Sequence, residues 1–174
     1  MAQHLAEAVV RKVPAGAEVL LLQWRSGLTG RRTAALEGQL RAAGLQVVPM
    51  TPPAEVPSGT GDEKIRITME EGGAPPQFLT EARRQHPECA AMVVLLNLSE
   101  PAPAELLSGL PPLFLDENTE SFFPWRDPAA AGGFGAVIAR RPARAWSAEK
   151  ALAAGPEGFF QMRYEFVEPG AAGP

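Results

Sequence analysis

The chain has 174 residues, 16 Lys and Arg against 20 Asp and Glu (net charge −4), and 45% hydrophobic residues, enough to bury a sizeable core. That acidic balance leaves no broad basic footprint for nucleic acid, and no apolar run nears the ~20 residues of a membrane span. One cysteine, Cys89, and two histidines, His4 and His86, exclude an internal disulfide and a cysteine-based zinc cage and leave little for a metal site.

The opening Met-Ala-Gln-His-Leu-Ala-Glu does not read as a secretion signal. Leu5, Val9 and Val10 share one face of a helix over the first 13 residues, stopped by Pro14-Ala15-Gly16. The run from Glu18 to Trp24 has strand length and no polar alternation, as in a parallel strand buried on both faces. A polar loop, Arg25 to Gly30, leads into a helix over 31–43. Leu36, Leu40 and Ala43 recur along that helix, and Gly44 takes the C-terminal cap. Leu45 to Met50 is the next strand.

Thr51 to Gly61 reads as a loop, and Lys64 to Met69 alternates like a brief exposed strand. Pro76 opens a helix that runs through His86, with His86 expected to cap carbonyls at its end. Ala90 to Leu96 is a second doubly buried strand, ending at Asn97; Cys89 opens it as an inert thiol. A short helix over 104–107 precedes a third core strand, Pro112 to Leu115. From Asp127 to Arg141 a helix is favoured, with Asp127-Pro128 as N-cap and first residue. Gly132, Gly133 and Gly135 speak against it at about 1 kcal/mol each, and the competing reading is a strand over 134–139. Tyr164 to Val167 is a last strand on an edge. The expected organisation is a three-layer αβα sandwich with a mostly parallel sheet of about five strands. It forms one domain over 1–168, followed by a disordered tail at 169–174.

Four passages give the chain a family resemblance. Leu5-Ala6-Glu7-Ala8-Val9-Val10 followed by Val19-Leu20-Leu21-Leu22 looks like the first helix and strand of the C-terminal lobe of type I periplasmic sugar-binding proteins, a fold shared with LacI-type effector domains. Arg32-Thr33-Ala34-Ala35-Leu36 with Gln39-Leu40 resembles that family's Arg-x-x-Gly-Phe-x-x-Ala-Leu. His86 to Val94, ending at Asn97, is similar to the strand that leads to its Asn-Asp pair. Asp127-Pro128 with Gly132 resembles its Pro-x-x-x-Gly helix start. Leu98 stands where the family has its sugar-gripping Asp, and 174 residues hold one lobe of a two-lobed cleft. The resemblance implies a non-enzymatic domain that binds or senses a small molecule, with a sugar as the family's ligand and a periplasmic setting for a fragment of a larger protein.

In open α/β sheets ligands gather outside the carboxyl ends of the strands. Those ends carry Trp24, Arg25 and Ser26, then Asn97 and Ser99, then Asp116, Glu117 and Asn118. Arg126 falls where the family has a polar ligand contact. Arg31 and Arg32 flank a loop feeding a helix N-terminus, a place that attracts anions, although the loop lacks the P-loop pattern. The expected ligand contacts are therefore Arg31, Arg32, Asn97, Asp116 and Arg126.

No serine lies in a Gly-x-Ser-x-Gly elbow, so no catalytic residue, metal or cofactor is expected. Phe122, Phe123 and Trp125 either pack under a loop or form a docking surface. The rival function is an interaction or oligomerisation module that keeps the lobe fold without a ligand, the missing half of the cleft being a second lobe or a second copy. A third reading, an enzyme acting on a phosphorylated substrate, has only the arginine-flanked loop behind it.

Overall fold

A computed structural model describes residues 2–24, 30–52, 73–141 and 153–169. The strands are β1 (Glu18–Leu22), β2 (Gln46–Met50), β3 (Ala91–Val94), β4 (Leu113–Leu115), β5 (Phe134–Arg140) and β6 (Tyr164–Val167). The helices are α1 (Ala2–Lys12), α2 (Gly30–Ala42), α3 (Gln77–Gln85), α4 (Ala104–Leu107) and α5 (Gly155–Arg163). The strands form one sheet in the order β2-β1-β3-β4-β5-β6, six strands where about five were expected. Strands β1 to β5 run parallel, and β6 returns antiparallel along the edge of β5.

Apolar side chains on both sides of the pleat produce two cores, as the unbroken hydrophobic runs require. On one face Val19, Leu21, Val93 and Phe114 meet Leu5, Ala8 and Val9 of α1 and Leu36 and Leu40 of α2. On the other, Leu20, Leu22, Met92, Val94, Leu113 and Leu115 meet Phe78, Leu79 and Ala82 of α3. The segments 19–22, 91–94 and 113–115 thus lie side by side, Leu20 opposite Met92 and Val93 opposite Phe114. The chain moves from β1 out to β2 on one side and back to β3 on the other. At such a reversal, here between the carboxyl ends of β1 and β3, open α/β sheets receive their ligands. Gly44 ends α2 at φ +84°, the left-handed cap that glycine accepts without strain. Edge strand β2 carries Pro49 opposite Leu21.

The helix favoured over 127–141 does not form; the strand reading of its second half is the correct one. Asp127 Oδ1 accepts the Ala129 N–H at 2.9 Å, a local turn bond. A single 3-10 turn at Ala131–Gly133 then delivers the chain to β5. Gly135 explains itself by packing. The β4–β5 register slips between Leu113 and Phe114, and a Cβ on Gly135 would lie 2.3 Å from Cζ of the fully buried Phe114. The glycine that weighed against a helix is the seat of an aromatic ring.

His86 ends α3 as expected, its backbone N–H donating to the Ala82 carbonyl at 3.1 Å. Its Nδ1 lies 2.9 Å from Glu18 Oε1 at the start of β1, while Arg83 donates to the carbonyls of His86 and Cys89. Cys89 is buried, and burial raises its thiol pKa. The strand expected over 64–69, most of the 51–61 loop and the tail beyond 169 lie outside the described residues.

Candidate functional site

The carboxyl ends of β1, β3 and β4 converge on one rim, and three charged side chains meet there. Arg32, in the first turn of α2, reaches the exit of β4. Its Nη1 and Nη2 donate to the two carboxylate oxygens of Glu117 at 2.7 and 2.6 Å, the two-pronged geometry that suits guanidinium and carboxylate. Nη2 also lies 3.5 Å from Asp116 Oδ2. Asp116 and Glu117 are 3% and 6% exposed, so both carboxylates sit inside the fold.

Local structure holds them. Asp116 Oδ1 accepts the N–H groups of Asn118 and Thr119 at 3.0 and 3.1 Å, and the chain then enters a 3-10 turn at Glu120–Phe122. Thr119 Oγ1 donates to the Val94 carbonyl, tying this turn to the end of β3. Arg140, at the end of β5, donates to Asn118 Oδ1 at 2.9 Å.

Burial, followed by the Glu117 charge, raises the Asp116 pKa above the ordinary carboxylate value; Arg32 and the hydrogen bonds from Asn118 and Thr119 pull the other way. For Arg32, burial acts to lower the pKa. Its hydrogen bonds to Glu117 and the charges of Asp116 and Glu117 outweigh it, leaving a firmly protonated cation. One guanidinium fixed against two buried acids makes a rigid hydrogen-bonding corner. The Nε–H of Arg32 meets no protein acceptor among the described residues.

Of the five expected contacts, the structure brings Arg32 and Asp116 together. Arg31 is exposed on the same helical turn, and Asn97 is exposed at the exit of β3. Leu98, which stands in place of the resembled family's Asp, is buried in the second core, and the backbone around it pairs with Ala74. Arg126 belongs elsewhere. It stacks over the Trp125 ring at 4.2 Å and pairs with Glu165 of β6 at 3.4 Å.

Glu117 is the residue that sequence reasoning undervalued; an acid pair following a wholly apolar strand was the clue. Trp24, half-buried past β1, has a buried indole N–H with no hydrogen-bond partner among the described residues. As a docking surface, the aromatic cluster is corrected. Phe123 and Trp125 are each 6% exposed and complete the second core. Phe123 sets its edge against Phe134, and the Trp125 N–H donates to Glu120. Phe122 packs half-buried beside them.

No family model matches the chain, and no curated protein matches its sequence. Among solved structures it is similar to a solute-binding protein of an ABC transporter from Burkholderia multivorans, described with an unknown ligand represented as α-D-erythrofuranose. The likeness has a TM-score of 0.50 at 13% identity and covers 80% of this chain and 46% of that one. The chain therefore spans less than half the length of that structure. At such identity the likeness concerns the fold: an α/β lobe of the periplasmic-binding-protein kind.

Proposed function

We propose that this chain supplies one wall of a small-molecule site, binding a neutral polyol such as a sugar at the carboxyl rim of its sheet. The supporting observation is the Arg32 guanidinium, locked by buried Glu117 and Asp116 beside the place where open α/β sheets receive ligands. A hydroxyl-bearing solute both donates and accepts hydrogen bonds. It suits a corner that offers the Arg32 Nε–H beside a carboxylate, with Arg31 and Asn97 exposed on adjoining elements. Two acids against one cation favour a neutral ligand over a phosphate, which weighs against the phosphorylated-substrate reading. The role is binding without chemistry. The neighbour in fold is a solute-binding protein, a likeness that adds to the reading without carrying it.

Thermal denaturation of the whole protein against neutral monosaccharides and their phosphates is the test. The expected result is a rise in Tm with a neutral sugar, lost in Asn97→Ala or Arg31→Ala, whose exposed side chains the fold does not need. No rise with any sugar overturns the reading in favour of the interaction module. That module has little to hold on the described surface, where Val10 is the one exposed large hydrophobic residue.

A further inference from the structure

On the face opposite Trp125, α1, α5 and β6 enclose a groove of about 250 Å³. It shares no lining residue with the Arg32 corner, although Tyr164 on its floor lies near enough to act on the Arg32 charge, and nothing above assigns it a role. Its floor is aromatic. The His4 and Phe160 rings lie 4.4 Å apart, and Phe160 and Tyr164 5.5 Å apart, in one tilted series.

The charges around this floor are not all consumed. Arg11 is paired with Glu168 at 2.8 Å, and Glu157 is held by His4 and Gln161. Arg141 differs. Its backbone N–H donates to the Arg163 carbonyl and its Nε to the Tyr164 carbonyl, so the guanidinium is pinned at its base. Its two terminal nitrogens meet no carboxylate among the described residues. Glu7, on α1, accepts from the neutral Gln3 and meets no cation there.

We infer that this groove is a second ligand site, for a zwitterion with an aromatic body such as a free aromatic amino acid. The ring lies on the Phe160–Tyr164 floor, where aromatic pairs gain beyond their buried area. The carboxylate takes the two free nitrogens of Arg141, and the ammonium group faces Glu7. A ligand with only one of the charges leaves the other protein group solvated and unused, and so binds more weakly.

The probes are L-phenylalanine, 3-phenylpropionate and phenethylamine, titrated by NMR into the whole protein. Tyr164 is the sole tyrosine and His4 one of two histidines, so their ring signals report this groove while His86 serves as the remote reference. The expected result is saturable movement of Tyr164 and His4 with L-phenylalanine, at affinity about tenfold above either single-charge probe. Arg141→Gln and Glu7→Gln should each remove about that factor, while Arg84→Gln and Asn97→Ala leave it unchanged. Retained Tm in the unliganded variants separates lost binding from lost folding, and Arg141→Lys, keeping charge without the fork, serves where Arg141→Gln is unstable. No saturable shift with L-phenylalanine overturns the inference. So does equal affinity for the three probes, or binding indifferent to residues 7 and 141.

Discussion

Strands β3 and β4 lie side by side, run the same way and are buried on both faces, yet the residues that follow them have opposite fates. After β3 the chain puts Asn97 into solvent and folds Leu98 back into the core. After β4 it carries two carboxylates inside. The difference is made by what reaches over. The β4 exit receives Arg32 from α2 and the amide groups of its own turn, whereas the Asn97 side chain meets no such partner among the described residues and its carbonyl pairs with the backbone of Ala74. A polar residue at a strand end is thus buried when another element brings it a partner, and solvated when none does.

The largest effect expected from breaking this contrast is that of Arg32→Ala. Stripping two buried carboxylates of their cation should cost about 3 kcal/mol, toward the low end for a buried pair because Arg32 is part-exposed, as read by urea denaturation. Adding Glu117→Gln to that variant should restore much of the loss by removing the orphaned charge. Next comes Gly135→Ala, which drives a methyl group into the Phe114 ring on β4. Overpacking there should cost about 2 kcal/mol, again by urea denaturation, and a neutral outcome would show that the ring has room to move.

A smaller effect concerns pH. The folded pKa of Asp116 is raised, so the unfolded chain releases this proton first. The group's contribution is undiminished below the ordinary carboxylate pKa of about 3.9 and declines as pH rises through the raised folded value. Asp116→Asn removes that decline. Its stability relative to the unaltered protein should therefore improve between about pH 4 and pH 7, measured by thermal unfolding at each pH. The smallest effect belongs to the β3 exit, where Asn97→Ala should change stability by less than about 0.5 kcal/mol in the same assay.

These contrasts also mark what the sequence made legible. The core strands announce themselves because burial on both faces leaves no polar residue in Val19 to Leu22 or Ala91 to Val94. The rim follows once their common direction is granted. Strand β5 was harder. Asp127-Pro128 is good helix-opening chemistry, and only the Phe114 ring, far back in the chain on β4, says why Gly135 must lack a side chain. The corner was half visible. Arg32 and Asp116 were each suspected for separate reasons, but the pairing of Arg32 with Glu117 spans 85 positions and depends on how α2 lies across the sheet. No local pattern encodes that reach.

Pro49 has a consequence for the company this sheet can keep. The Gln46 N–H and the Met50 carbonyl both point toward β1, so by the alternation of a strand Val47 and Pro49 present their backbones outward. A proline there withholds one of the donors that an incoming foreign strand would seek, which blunts β2 as a template for fibril growth.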